Sequence, residues 1–428
     1  MRKAHIISIG NELLIGDTIN TNASWIGRFL TEKGFFVEQV ITLPDDYILI
    51  SECVEQSFMS SDFTVVTGGL GPTHDDITKK VITDFFDDEL VENEAVLNHI
   101  KEIFRKRDFE FSRSNADQAL VPKSCTVLFN NQGTAPGMWF EKENRALAVL
   151  PGVPYEMQFL MNNGVSDKLN DFFPGQDVWA TRYYKTAGVP ESTLSDGVVG
   201  DLSSYLNNGV QVAYLPNPGG VTIRISAEGN DKSAANNKLE KLQELLYKKA
   251  GEFIYGEGRD CQLAAVVGDL LKQNNKTIAV AESCTGGMLS NDITDVAGSS
   301  SYMLGGVIAY ANDVKINHLG VNENDLKKYG AVSKQVALQM AKGVAESMGS
   351  SIGVSTTGIA GPGGGSVEKP VGTVWMGFWM DGKSFALKAQ FTNDRLINKQ
   401  RTVMVVLETI RREILGLGSY PYNLKPQQ

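Results

Sequence analysis

The stretch VAESCTGG, from Val280 to Gly287, places Ser283, Cys284 and Thr285 between an apolar segment and a glycine pair. The preceding residues, KTIAVAE, have the small apolar side chains of a buried strand, and glycines let the backbone approach a ligand closely. A helix that begins after such a turn has free N–H groups, which favour an anion or a developing oxyanion. An ordinary small-residue loop has the same pattern, so catalysis and a plain connection both stay open here.

A serine nucleophile needs a base, and the chain has only four histidines. The stretch AYANDVKINH offers Tyr310 and Lys315 instead. A lysine whose pKa is lowered by burial can accept the serine proton, and a tyrosine can relay that proton. The common alternative is that Lys315 is an ordinary solvated lysine on the surface. In VSTTGIAGPGGG, Thr357 ends another predicted strand, and TNDRLINKQR places Arg395 and Arg401 early in the last helix, where either can pair with phosphate or carboxylate.

A chain of 428 residues is expected to form two or three domains. In residues 1–165, the apolar runs AHIISIG, FFVEQVITL and DFTVVTGG alternate with helical spacing. This alternation predicts an α/β domain whose parallel sheet carries helices on both faces. Ligands of such sheets bind at the carboxyl ends of the strands, where the glycine-ended turns lie.

Residues 166–257 predict a small α+β connecting module, with one amphipathic helix that presents Leu239, Leu242, Leu245 and Leu246. We see no catalytic constellation in it. Residues 258–420 predict a second α/β domain. In this domain, MLGGVIAY and SIGVSTTG are expected to be buried strands, Ser333 is expected to cap a helix, and Asp381 with Gly382 suits a two-residue hairpin turn.

The composition limits which class of molecule the protein is expected to bind and in which cellular compartment it is expected to lie. A formal net charge of −10 argues against direct nucleic-acid binding, which relies on clustered Lys and Arg. The four cysteines form no CxxC pair, so we expect reduced thiols in a cytoplasmic protein. No run of about 18 apolar residues predicts a membrane span.

Two sets of motifs together resemble a known family. AESCTGG, VIAYANDVK, GAVSKQVA, STTGIAGPGGG and KPVGTVWMG are similar to the C-terminal domain of the CinA (competence/damage-inducible) family, over nearly all of residues 258–415. The activity known for that domain is deamidation of nicotinamide mononucleotide (NMN). SIGNELLIGDTINTNA, TGGLGPTHDDIT, NNQGTAPG and LPGVPYEM resemble the family's molybdenum-cofactor-biosynthesis-like (MoCF) domain, which in some members hydrolyses ADP-ribose with a divalent metal.

For the C-terminal domain, the resemblance implies Ser283 as the nucleophile, assisted by Tyr310 and Lys315, and no cofactor. We prefer Arg395 over Arg401 as the arginine at the substrate, because Arg395 starts the helix. The substrate-binding residues implied in this way are Cys284, Thr285, Gly286, Gly287, Thr357, Gly358, Arg395 and Arg401.

For the N-terminal domain, the resemblance implies a nucleotide site built from Asn11, Glu12, Gly68, Gly69 and Asn130. Carboxylates in its glycine-ended turns are expected to hold Mg²⁺ or a similar cation against a diphosphate. The expected metal ligands are Asp76 first, then Asp75 and Asp17. An acid in this position is also typical of a helix cap, and His74 offers a nitrogen ligand instead.

The resemblance implies a hydrolase with two active sites, one in each α/β domain. Two other functions stay open beside it. One is a non-catalytic protein that binds a nucleotide or pterin and associates with competence or recombination factors. The other is an active deamidase with a degenerate N-terminal half. The resemblance also implies a homodimer.

Overall fold

The computed structural model describes residues 2–73, 76–175, 178–206 and 209–428. The chain forms two compact units. One runs to Ala180 and includes Glu228–Asn237, and the other comprises Thr181–Ala227 and Lys238–Gln428. Within these described ranges, no helix is both long and apolar enough to cross a membrane.

The N-terminal domain has a central sheet with helices around it. Its strands are β1 Arg2–Ile9, β2 Phe35–Leu43, β3 Phe63–Thr67, β4 Leu90–Glu92, β5 Leu120–Pro122, β6 Thr126–Leu128, β7 Gly137–Lys142 and β8 Arg145–Leu150. Its helices are α1 Asn11–Leu14, α2 Thr21–Glu32, α3 Tyr47–Ser60, α4 Thr78–Phe85, α5 Glu94–Lys106, α6 Arg113–Asp117, α7 Pro154–Leu160 and α8 Ser166–Phe172. The order in the main sheet is β2-β1-β3-β8-β7-β6, and β4 pairs with β5.

Alternate residues of β1 enter two hydrophobic cores on opposite faces of this sheet. Ala4 and Ile6 belong to one core, and Ile7 and Ile9 belong to the other. The expected three-layer α/β/α fold is therefore confirmed. The sheet is mixed, because β7 runs antiparallel to both β8 and β6.

The expected domain boundary at residue 165 falls inside a helical segment. A π-helical turn, Met161–Val165, joins α7 directly to α8. Leu160 and Leu169, on either side of this turn, are buried in the same N-terminal core. The helical segment therefore belongs to the N-terminal domain, because that core buries its apolar side chains.

The middle module has the strand and helix order β-α-β-β-α-β. Its strands are β9 Val178–Thr186, β10 Val210–Asn217, β11 Gly220–Gly229 and β12 Ile254–Glu257; its α-helix is α9 Lys232–Ala250, and a short π-helix spans Thr193–Val199. The sheet order β10-β11-β9-β12 is that of a ferredoxin-like fold. Leu239, Leu242 and Leu246 of α9 are buried as expected, while Leu245 is only partly buried. The sequence pattern had not predicted β10 or β12.

The C-terminal domain has a second mixed sheet. Its strands are β13 Ile278–Glu282, β14 Met303–Ile308, β15 Ile352–Gly358, β16 Thr373–Met380 and β17 Lys383–Gln390. Its helices are α10 Leu263–Gln273, α11 Met288–Thr294, α12 Asn312–Leu319, α13 Glu323–Tyr329, α14 Lys334–Met348 and α15 Arg395–Leu415. The order is β14-β13-β15-β16-β17, and β13 is parallel to both of its neighbours. The carboxyl ends of β14, β13 and β15 therefore meet at one edge.

Local predictions for this domain were confirmed, with one exception. The Ser333 side chain accepts a hydrogen bond from the Val336 N–H and caps α14, and Asp381 with Gly382 turns β16 into β17. The strand β14 was expected to be buried and is not. It lies at the edge of the sheet, where Leu304 and Ile308 are about half exposed.

A buried ion cluster ties α15 to the middle module. The Glu408 carboxylate accepts hydrogen bonds from Arg411 Nε (2.8 Å) and Arg412 Nε (2.7 Å), and all three side chains are buried. Arg411 also donates to the backbone carbonyl of Glu252 (2.5 Å). The cluster therefore fixes the last helix against the end of the module.

Glu408→Ala is expected to lower the free energy of unfolding by about 3–5 kcal/mol, because two buried guanidinium groups lose their carboxylate. Thermal unfolding followed by circular dichroism measures the change. The matched control is Glu323→Ala, which breaks an exposed ion pair with Lys327 and should leave the melting temperature almost unchanged. Equal melting temperatures for the two variants would contradict the assigned role of Glu408.

Candidate active site

The VAESCTGG stretch forms the connection between β13 and α11. β13 ends at Glu282, and α11 begins directly after Gly287. Gly286 and Gly287 have φ values of +60° and +95°, which favour glycine. The Ser283 N–H donates to the carbonyl of Thr356 (2.9 Å), so the turn lies beside the end of β15.

Glu282 closes this turn from inside the protein. Its carboxylate is fully buried and accepts hydrogen bonds from the N–H groups of Gly287 (3.0 Å), Leu289 (3.0 Å) and Ser290 (2.8 Å) and from Ser290 Oγ (2.6 Å). The start of α11 is therefore capped by the protein's own carboxylate. This corrects the expectation that the Gly287 N–H binds an anion. Sequence reasoning missed this role of Glu282, which the position of the acid at a strand end before a glycine turn could have suggested.

Glu282→Ala is expected to cost about 3 kcal/mol or more of stability, because it leaves several buried N–H donors without an acceptor. Amide hydrogen exchange reports the local effect, and the Gly287 and Leu289 amides should exchange faster. Glu346→Ala on α14, where the glutamate pairs with exposed Lys342, is the control and should leave both amides protected. Unchanged protection of both amides in Glu282→Ala would exclude this role.

Ser283 and Lys315 form the central pair of the candidate site. Lys315 Nζ lies 3.2 Å from Ser283 Oγ, and it donates hydrogen bonds to the backbone carbonyls of Ala309 (2.6 Å) and Tyr310 (3.3 Å). The Lys315 side chain is only 1% exposed. Burial lowers its pKa below the ordinary value of 10.5, while the nearby Cys284 acts in the opposite direction. A lysine in this environment is suited to accept a proton from the serine.

Tyr310 and Arg395 are brought together, but not at the serine. Tyr310 is 63% exposed, and its hydroxyl accepts a hydrogen bond from Arg395 Nη2 (3.0 Å). Arg395 Nη1 donates to the Gly361 carbonyl (2.9 Å). No hydrogen bond found in the described ranges joins the Tyr310 hydroxyl to Ser283. The expected proton relay through Tyr310 is therefore not supported by a contact.

The side chains of Cys284 and Thr285 face the interior. Burial raises the pKa of the Cys284 thiol to about 12, which keeps it protonated. The Thr285 hydroxyl is fully buried and shares a 2.6 Å hydrogen bond with the Thr356 hydroxyl. The expected binding role of these two residues is therefore limited to their backbone N–H groups.

Thr357 and Gly358 complete the end of β15. The Thr357 hydroxyl is 1% exposed and donates to the Ala331 carbonyl (2.8 Å), so its proton is not free for a ligand. A Cβ on Gly358 would lie 2.7 Å from Val374 Cγ2, so this glycine permits close packing against β16. The expected substrate contact of the Thr357 side chain has no support in this geometry.

The two arginines of α15 lie in different surroundings. Arg401 lines a cavity of about 410 Å³ together with Val189, Phe391 and Tyr422, between the middle module and the C-terminal sheet. Arg401 therefore faces a cavity that Ser283 does not line, and the preference for Arg395 stays a prediction. Sequence reasoning missed a third cation, Lys399, whose Nζ lies 3.8 Å from where a Cβ on Gly286 would stand. Its signal was its spacing of four residues from Arg395, which puts both on one helix face.

A small cavity lies at the carboxyl ends of β1 and β3 in the N-terminal domain. Its volume is about 100 Å³, and Glu12, Asn22 and Thr67 are among its lining residues. In the described part of the chain, the buried oxygens Ser8 Oγ and Asn22 Oδ1 have no hydrogen-bond partner. Glu12 therefore lines a cavity that also has Asn22 in its wall, and its role in nucleotide binding stays a prediction.

The other predicted residues of the N-terminal site have structural contacts. The Asn11 N–H donates to Asp45 Oδ2 (3.2 Å), and Gly68 and Gly69 turn away from β3 with positive φ. Asn130 is buried.

Asn130 is hydrogen-bonded to Glu156, a residue that sequence reasoning missed. Its side-chain amide donates to the Ala135 carbonyl (2.8 Å) and to Glu156 Oε2 (2.6 Å). Glu156 is also buried, and burial raises its pKa. The Glu156 carboxyl lies directly against Gly133, where no side chain would fit. Asn130 therefore shapes the loop from inside.

The expected metal ligands do not assemble among the residues that the structure describes. No group of three or more His, Cys, Asp or Glu side chains there is arranged to hold a metal ion. The Asp76 carboxylate accepts hydrogen bonds from the N–H and hydroxyl of Thr73, and Asp17 is exposed. Asp75 and His74 lie outside the described residues. Asp76 does not cap α4 either, because within the described ranges the hydrogen bonds of its carboxylate come from Thr73.

Three family models match successive parts of the chain. Residues 5–171 match a probable molybdopterin binding domain, residues 181–256 match the damage-inducible protein CinA KH domain, and residues 260–414 match the CinA C-terminal domain.

Similar proteins cover nearly the whole chain. A CinA-like protein from Cytophaga hutchinsonii is 40% identical over 411 residues, covering 96% of this chain and 98% of the relative. A putative competence-damage inducible protein from Clostridium botulinum is 38% identical and covers 96% of this chain and 100% of its own length. A solved structure from Thermoplasma acidophilum, described as CinA with unknown function, is 35% identical; it covers 39% of this chain and 97% of its own, with a TM-score of 0.36.

Proposed function

The chain belongs to the CinA family, and from this premise we propose that its C-terminal domain is an amidohydrolase that converts NMN to nicotinate mononucleotide and ammonia. The observation that carries the proposal is the 3.2 Å contact between Ser283 Oγ and the buried Lys315 Nζ. We take NMN as the substrate because the sequence motifs of this domain resemble those of NMN deamidases.

The three contacts of Lys315 suit a neutral amine. A neutral amine has two N–H donors and one lone pair. When Lys315 is neutral, the carbonyls of Ala309 and Tyr310 can take its two N–H donors, which leaves the lone pair for the Ser283 hydroxyl. Burial favours this neutral form. Lys315 is therefore positioned to act as the general base for Ser283.

The reaction follows as two acyl transfers. Ser283 Oγ attacks the carboxamide carbon and its proton passes to Lys315. The resulting ammonium then gives a proton to the leaving nitrogen, the C–N bond breaks, and ammonia departs from an ester on Ser283. Water, deprotonated by Lys315, hydrolyses this ester and releases the carboxylate. The oxyanion would be held by the N–H groups of Cys284 and Thr285 in the turn that follows the nucleophile.

The proposed function does not extend to the N-terminal domain. Hydrolysis of ADP-ribose there stays a prediction from the resemblance, since the described carboxylates form no cation site.

Ammonia release from NMN by the purified full-length protein tests the proposal. We expect equal amounts of ammonia and nicotinate mononucleotide, and a covalent adduct on Ser283 in mass spectra of protein quenched during turnover. A folded protein that releases no ammonia would exclude the deamidase and favour a binding role.

A further inference from the structure

A nucleotide monophosphate substrate brings a dianion to the Ser283 turn, and the turn itself does not balance that charge. The start of α11 is closed by Glu282, whose carboxylate accepts the N–H groups of Gly287, Leu289 and Ser290. A phosphate at that helix end would meet a buried negative charge. The compensating positive charge therefore has to come from a side chain.

Three cationic side chains are candidates to supply this charge, and two of them are engaged in other contacts. Lys315 is buried against Ser283 and two carbonyls. Arg395 donates to the Gly361 carbonyl and to the Tyr310 hydroxyl. Lys399 is only partly buried, and in the described ranges no hydrogen bond or ion pair uses its ammonium group.

Lys399 also lies at the exposed side of the turn. It follows Arg395 by one helical turn on α15, and its Nζ lies next to Gly286, 3.8 Å from where a Cβ would stand. Gly286 is exposed and comes three residues after the nucleophile Ser283. The reacting carboxamide and the phosphate are at opposite ends of NMN, and the ammonium group at the exposed side of the turn, unpaired among the described residues, is available to the phosphate.

We infer that Lys399 is a specificity-determining residue that binds the phosphate of the substrate, while Arg395 positions Tyr310 at the rim of the site. This inference rests on the proposed function. It makes the site selective for a nucleotide over the corresponding nucleoside. The absence of a side chain at Gly286 leaves room for the phosphate beside the ammonium group.

The test compares NMN with nicotinamide riboside, which lacks the phosphate. Lys399→Met is expected to raise KM for NMN about 10- to 100-fold with little change in kcat, because a charge-assisted hydrogen bond is lost. Its kcat/KM for the riboside should not change, and Lys399→Arg should restore most of the affinity for NMN. The matched control is Lys383→Met, an exposed lysine at the β16–β17 turn, at the opposite end of the sheet from Ser283.

Direct binding separates this inference from the proposed function. Calorimetry of NMN and the riboside with Ser283→Ala, with and without Lys399→Met, measures phosphate recognition without turnover. If NMN binding weakens selectively while the wild type releases no ammonia, the phosphate assignment stands and the deamidase fails. If the wild type is active and Lys399→Met affects neither substrate, or both equally, the role of Lys399 is overturned.

Discussion

Ser283→Ala is expected to slow ammonia release from NMN by about 10⁴-fold or more, because the hydroxyl that forms the acyl-enzyme is gone. The loss should appear in kcat, with binding of NMN largely retained. A stopped assay that quantifies ammonia and nicotinate mononucleotide measures both. The fold should persist, since Ser283 is only partly buried and its backbone bond to Thr356 does not depend on the side chain.

Cys284→Ala is the matched control in the same turn. The thiol is buried, and its pKa of about 12 leaves no thiolate near neutral pH. We therefore expect turnover within a few-fold of the wild type. If the serine variant were active and the cysteine variant inactive, the nucleophile would be wrongly assigned.

Lys315→Met is expected to lower kcat by about 10²- to 10⁴-fold, the usual contribution of a general base. Methionine fills a similar volume without a proton acceptor. Lys315→Arg should not rescue turnover, because a guanidinium group keeps its proton at all working pH values. Near-wild-type kcat in either variant would exclude Lys315 as the base.

The pH profile provides an independent readout of Lys315. The base must be neutral, so kcat/KM for the wild type should rise with pH through the Lys315 pKa, and burial places that midpoint below 10.5. In Lys315→Met the residual activity should lose this rising limb. If the limb is unchanged in the variant, it belongs to another group.

Local features of the C-terminal domain were predictable because neighbouring residues decide them. Ser333 caps α14 through an N–H three residues away, and Asp381 with Gly382 turns a hairpin whose strands are adjacent in sequence. The strand β13 was predictable from its run of small apolar residues. Such signals do not distinguish a central strand from an edge strand, and for this reason β14 was placed wrongly.

The sequence by itself determined the α/β class, most helices and strands, and the candidates Ser283, Lys315 and Arg395. It determined them because hydrophobic periodicity, glycine turns and hydroxyl or basic side chains can be identified within short windows. Only the tertiary structure decided which candidates meet. Lys315 reaches Ser283 from 32 residues away, Arg395 reaches Tyr310 from 85 residues away, and Arg401 lies in a separate cavity. The burial that lowers the Lys315 pKa likewise depends on elements distant in sequence, and no local pattern can specify it.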